Sequence, residues 1–349
     1  MKRILIFIFL LISISITSST VSALQLENLK LNGFFDLQYQ WAYSNNSHGD
    51  TQGSFEQHHF NILLEMPVNN RISVKGHIEF EHSPKICGDC TPPAGSGDVN
   101  IEWAYFEYLV NNNSRLRGGA MLTPFGLYNE IHDATPTYVF TRIPWGIYRP
   151  DLVGGTAMFP KFSTGLALLG EYFPESDFDL NYTFYIANGE NDTKNEAELD
   201  ENNNKAVGGR IMMSPIYGLS VGGSFYNGEK GVSKASHSTW AGSLEYLRPP
   251  FHIQAEYASS NLSKVNEISW YGEVSYLLKK ATPYIRYAKL DPDNKKPNDE
   301  WSALIYGFAY KFQPNVILKI ENRMNTGSSN NIVIPDNFNE AAASIAIAF

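Results

Sequence analysis

What most restricts this chain is a rhythm. Apolar runs with period two are joined alternately by very short and very long polar connections. In KLNGFFDLQYQW (30–41), Leu31, Phe35, Leu37, Tyr39 and Trp41 share one face, while Asn32, Asp36, Gln38 and Gln40 share the other. That alternation marks a β-strand with one apolar side. It recurs in HFNILLEMPV (59–68), RISVKGHIEFE (71–81), FDLNYTFYI (178–186), FHIQAEY (251–257), ISWYGEVSYL (268–277) and VILKIENR (316–323). The short connections are Asn69-Asn70, Asn111 to Asn113, Pro174 to Asp177, Pro215 to Gly218, Pro249-Pro250, Lys279 to Ala281 and Pro314-Asn315. Long polar stretches fall between them, near 43–57, 82–99, 123–162, 188–204, 227–238, 259–266, 290–300 and 325–340.

The count comes to about sixteen strands of roughly ten residues. That is the length a tilted strand needs to cross a bilayer, with short turns at one end and long loops at the other. In hydrocarbon an unpaired backbone N–H or C=O costs several kcal/mol, so the sheet has to close on itself. The expected fold is therefore all-β: a transmembrane antiparallel barrel in a single domain. Its apolar face carries aromatics near strand ends, among them Tyr39, Trp41, Trp240, Tyr257 and Trp270, as interfacial girdles require.

The N-terminus fits an exported chain. Lys2 and Arg3 precede an apolar run from Ile4 to about Ile16, and Val21-Ser22-Ala23 closes the segment. This pattern predicts a signal peptide over 1–23 and a barrel domain over 24–349. The formal net charge of −9 and the lack of any basic block argue against nucleic acid as a partner. At the other end, ASIAIAF places Ala343, Ile345, Ile347 and Phe349 on one face. It resembles the terminal strand of bacterial outer-membrane proteins. The resemblance implies that Phe349 is the signal read by the barrel-assembly machinery of a Gram-negative outer membrane.

One connection is far longer than the rest. TPFGLYNEIHDATPTYVFTRIPWGIYRPDLVGGTAMFPKF (123–162) carries Phe125, Tyr128, Tyr138, Phe140, Trp145 and Tyr148, stiffened by Pro124, Pro136, Pro144 and Pro150. A loop so aromatic needs a surface to pack on. A sixteen-stranded barrel offers a lumen too wide for wall side chains to fill, so this third loop is expected to fold inward and narrow it. Together with RLRGGAMLTPFGLYNE (115–130), the stretches NYTFYIANGEND (181–192), KAVGGRIMMSP (205–215), LSVGGSFYNG (219–228) and the final AIAF resemble the phosphate-selective porin O/P family and related sixteen-stranded porins. The resemblance implies a homotrimer with a loop-narrowed channel. It leaves the solute open, because a fold does not fix its cargo.

Selectivity belongs to the charges at the narrowest ring. Arg117, Arg142, Arg149 and Arg210 are the candidates to hold a permeating oxyanion by paired guanidinium hydrogen bonds. Tyr128, Glu130 and Asp133 share the constriction, and Arg71 and Lys75 are basic candidates on the lumen wall. For each arginine the alternative is a wall-bracing ion pair. Arg115, Arg286, Lys319 and Arg323 face Asp36, Glu65, Glu79, Glu107, Asp179, Glu256, Glu273 and Glu321 as partners for such pairs. Cys87 and Cys90 are close enough in sequence to form a local disulfide in an oxidising compartment. No metal site, cofactor or catalytic group is expected: His58, His59, His77 and His252 come without a nucleophile motif. The expected function is passive diffusion of small hydrophilic solutes, anions such as phosphate or dicarboxylates among them. The alternatives are a barrel sheath for an electron-transfer complex and a barrel-embedded hydrolase.

Overall fold

The computed structural model describes residues 28–42, 53–81, 98–174, 178–191, 202–334 and 337–349. The signal segment 1–23 and the pair Cys87 and Cys90 lie outside them. Sixteen strands form one closed sheet. In order they are β1 (Lys30–Ala42), β2 (Ser54–Pro67), β3 (Ile72–Glu81), β4 (Asp98–Asn111), β5 (Ser114–Leu122), β6 (Phe162–Tyr172), β7 (Asp179–Asn188), β8 (Lys205–Ile216), β9 (Leu219–Lys230), β10 (Ala235–Arg248), β11 (Phe251–Leu262), β12 (Val265–Tyr276), β13 (Ala281–Asp291), β14 (Trp301–Gln313), β15 (Val316–Gly327) and β16 (Phe338–Ala348). Each strand pairs antiparallel with its sequence neighbour. The seam closes where β16 meets β1, with Leu37 opposite Ile345 and Phe35 opposite Ile347.

The two faces of this sheet are inverted relative to a soluble protein. Outward side chains are apolar and bare: Leu168 and Ile320 are each 43% exposed, and Phe308, paired with Ile320, is 41% exposed. Inward side chains are polar and covered, with Asp36, Glu79 and Lys319 all at 0%. Such a surface is stable only against hydrocarbon. Strand residues rise about 3.3 Å each, so the 9 to 14 residues per strand are enough to cross a tilted apolar band.

Short turns gather at one end, as the sequence rhythm requires. The opposite end differs from expectation at two places. The stretches 227–238 and 259–266 are mostly strand, because β9 and β10 meet through residues 231–234 and β11 and β12 through 263–264. Ser263 and Lys234 adopt positive φ to make these tight turns. Polar residues there extend the hairpins past the apolar band.

Phe349 completes the seam. Its N–H donates to the Gly33 carbonyl at 2.9 Å, and the Gly33 N–H donates back to the Phe349 carbonyl at 2.8 Å. Its ring stacks on Phe60 with centroids 6.0 Å apart. Deleting Phe349 removes both bonds as well as the terminal aromatic. The deletion is expected to lower the fraction of folded, heat-modifiable protein in the outer membrane. Unchanged assembly on a mobility-shift gel would contradict this.

Candidate functional site

The connection between β5 and β6 runs from 123 to 161 and packs against the inward faces of at least ten strands. It begins with a tight reversal at Gly126, where φ is +60°. A side chain there would collide with the Tyr148 hydroxyl and the Glu256 carboxylate, so the TPFG stretch requires glycine at this position. Phe125 stacks on Phe159 with centroids 4.1 Å apart, closing the base of the loop. A single helical turn at Trp145–Tyr148 follows. Phe125, Tyr128, Phe140, Ile147, Val153 and Met158 are fully buried.

Carboxylates and cations of the wall hold this loop through its own polar atoms. The Tyr128 hydroxyl lies 2.6 Å from Glu273 Oε1 and 2.9 Å from Gln254 Oε1, two acceptors that share its one proton. Arg286 pairs with the other Glu273 oxygen at 2.6 Å, donates to the Arg142 carbonyl at 2.8 Å, and lies 3.6 Å from the Phe140 ring centroid. Glu256 accepts from the Tyr148 hydroxyl, from Tyr271 at 2.8 Å and from the Leu127 N–H at 3.0 Å. Glu321 accepts from the N–H and hydroxyl of Thr141 at 3.0 and 2.8 Å. Lys319 donates to the Thr135 and Phe140 carbonyls at 2.6 and 2.7 Å. A buried loop backbone must find such partners or pay the full desolvation penalty. Burial pushes the Tyr128 and Tyr148 hydroxyls well above their ordinary range, and the carboxylates beside them add to it, so both stay neutral donors.

On the β3 to β8 side, charged groups remain partly open. Lys75 pairs with Glu107 at 2.9 Å, Glu107 with Arg117 at 2.9 Å, Arg117 with Glu130 at 3.6 Å, and Glu130 with Arg210. The row crosses from wall to loop tip and back to the wall. A cavity of about 380 Å³ bordered by Lys75, Tyr105, Glu130 and His132 lies on one side. Another of about 380 Å³, bordered by Arg115, Tyr182, Arg210 and Glu245, lies on the other.

The structure therefore brings together Lys75, Arg117, Glu130 and Arg210. The remaining candidates sit elsewhere. Tyr128 is a buried anchor. Arg142 sits on the β1 and β16 side, bonded to Gln40, 4.0 Å from Glu340 and stacked over Trp145 at 4.8 Å. The side chain of Arg149 is 47% exposed and 3.6 Å from Asp151. Arg71 is not on the lumen wall at all. It lies in the exposed turn after β2, where its N–H is held by Asn69 at 2.8 Å, because the strand starts one residue later.

Asp133 belongs to a separate buried group that the sequence reading did not assemble. His59 of β2, Glu79 of β3, Glu102 of β4, Lys161 before β6, and His132 with Asp133 in the loop all converge there. Burial by itself would raise the Asp133 carboxyl, but His132 and Lys161 outweigh it and hold the group well below the usual range. Alternation alone could not place Glu102. The β3–β4 pairing slips between His77 and Ile78, passing from Trp103 directly to Ile101, and this bulge turns Glu102 inward beside Trp103.

No family model matches this chain. An uncharacterized protein of Aquifex aeolicus (strain VF5) is 26% identical over 214 residues, covering 57% of this chain and 44% of that protein. The chain thus spans less than half the length of that relative. Among solved structures, Salmonella typhi OmpF in complex with daunomycin aligns with a TM-score of 0.63 at 15% identity, over 92% of this chain and 97% of OmpF. The anion-selective porin from Comamonas acidovorans aligns at 0.61 and 12% identity, over 92% and 99%. A trimer form of OmpT, an outer membrane protein of Vibrio cholerae, aligns at 0.58 and 12%, over 92% and 99%. At these identities the likeness is one of fold: a sixteen-stranded barrel of the porin type.

Proposed function

We propose that this chain is an outer-membrane porin of a Gram-negative bacterium, a passive channel for small hydrophilic solutes. In this reading residues 1–23 are removed on export, residues 24–349 form the barrel, Phe349 is read by the assembly machinery, and three copies associate. The observation that carries it is the row Lys75–Glu107–Arg117–Glu130–Arg210, half-open between two cavities inside an otherwise loop-filled lumen. A filled lumen disfavours a sheath, which needs space for an electron carrier. The porin structures found similar in fold support the same reading.

The row has three cations and two carboxylates, a surplus that favours small anions such as phosphate or dicarboxylates at close range. Arg117 and Arg210 carry the surplus; Arg142 and Arg149 are less suited, being engaged on the far side or at the surface. Proteoliposome swelling tests the channel: sugars and small anions should enter at rates falling with size, and swelling no faster than that of protein-free vesicles would reject it. Selectivity is tested by the double variant Arg117→Ala, Arg210→Ala. It leaves Glu107 and Glu130 short of partners and should move the reversal potential in a salt gradient toward cation preference. An unmoved potential would remove both residues from selectivity.

A further inference from the structure

We infer that His59, Glu79 and Asp133 form a binding site for one divalent transition-metal ion, best matched to Zn²⁺, that fastens the third loop to the barrel wall. The His59 Nε2 stands 3.4 Å from Asp133 Oδ1 and 3.8 Å from Glu79 Oε1, and one ligand atom from each of the three residues lies within 4.8 Å of the others. Two donors about 2.1 Å from a tetrahedral ion are about 3.4 Å apart, so the His59–Asp133 pair already has the spacing such an ion imposes, and Glu79 stands somewhat farther out. Imidazole and carboxylate are the ligands that suit it.

Glu79 supplies the independent sign. It is 0% exposed, no N–H or hydroxyl among the described residues donates to either of its oxygens, and the side chain it meets is another acid, Glu102. A buried carboxylate without donors costs several kcal/mol unless a cation meets it. The resident cation, Lys161, is divided among Asp133, Glu102 and Glu79. Lys161 lies 3.7 Å from Glu102 and 4.0 Å from Asp133 Oδ2, on the other side of Asp133. Three carboxylates thus share the Lys161 ammonium and the His132 ring, which leaves negative charge in excess for a bound cation to meet. The second triad, Glu102, His132 and Asp133, is the one the lysine serves, which leaves Asp133 Oδ1 to the first.

The site has support and a way in. His132 Nε2 holds Asp133 Oδ2 at 2.5 Å, and its Nδ1 donates to the Asn129 carbonyl at 2.7 Å, fixing the carboxylate from behind as outer partners of metal ligands do. Asp133 and His132 also border the cavity beside Lys75, through which an ion from the lumen can arrive. The backbone slips between Asp36 and Leu37 in the β1–β2 pairing and between His77 and Ile78 in the β3–β4 pairing, so bulges flank the group on both sides and aim its side chains.

The test uses the mature chain folded in detergent, stripped with a chelator and checked by heat-modifiable mobility. It involves no conduction, so its outcome is independent of the porin reading. Titration with Co²⁺ should produce intense visible bands of a tetrahedral site, saturating at one ion per chain and erased by Zn²⁺. In His59→Ala and Glu79→Gln the affinity should fall by more than about tenfold, while His252→Ala, far from the group, should match the parent. A featureless titration of the parent chain would overturn the inference. So would bands of unchanged affinity in both folded variants, which would place the ion elsewhere. Should either variant fail to fold, anomalous scattering at the zinc edge from crystals of the parent decides: a peak among His59, Glu79 and Asp133 supports the site, and a peak elsewhere or none refutes it.

Discussion

Replacing Glu273 with Ala is expected to lower stability by about 3–5 kcal/mol, the cost of stranding one member of a buried ion pair, and to unpin the third loop. Glu273 is the junction of three attachments. Its two oxygens accept from Tyr128 of the loop and from Arg286 of β13, and Arg286 in turn holds the Arg142 carbonyl. Without the carboxylate, the Arg286 guanidinium, 1% exposed, loses its ion-pair partner, and Tyr128 keeps Gln254 and a long contact from Arg286. The barrel's backbone ladder does not depend on this residue, so the sheet should still close while the loop loosens. Urea unfolding in detergent measures the first effect. Noisy, flickering channel current measures the second. Glu273→Gln keeps an acceptor for Tyr128 without the charge for Arg286 and should fall between. A variant within about 1 kcal/mol of the parent with quiet current would mean the loop is held by packing alone.

Ile320→Arg is expected to destabilise the barrel in lipid vesicles by about 2–4 kcal/mol, the penalty for a cation near the bilayer midplane. Ile320 sits at the middle of β15, 43% exposed, between the outward residues Phe308 and Ala343 on its neighbours. In a water-soluble barrel the same exposed position would tolerate arginine within about 0.5 kcal/mol. The comparison therefore separates the two solvents and not merely two packings. Val316, nearer the strand end, should tolerate arginine better, because the penalty falls toward the interface. Equal and negligible costs at both positions would contradict a membrane-spanning surface.

The strands were legible because period-two patterning reports the solvent on each face and needs no knowledge of partners. The alternation of Leu318 and Ile320 with Lys319 and Glu321 is the same in sequence and in the fold. The inward loop was legible too: Phe125, Tyr128 and Phe140 require cover, and only the lumen offers it. Loop lengths failed at 227–238 and 259–266, because polar residues on a hairpin that extends into water look like loop. Charge partners were out of reach for a different reason. Arg117 and Arg210 meet through Glu130, which lies on neither strand, whereas Arg142 turns to Gln40 across 102 positions. The His59, Glu79, Asp133 group required the loop to cross the lumen and a bulge to reverse the parity of Glu102. Neither leaves a local mark in the sequence.

Whether this barrel conducts is the most direct test of the channel. Single-channel recording of folded residues 24–349 in a planar bilayer should give steady, stepwise openings whose reversal potential in a salt gradient leans toward anions. Well-folded protein that inserts and passes no current would contradict the channel, and with it the role given to the row from Lys75 to Arg210.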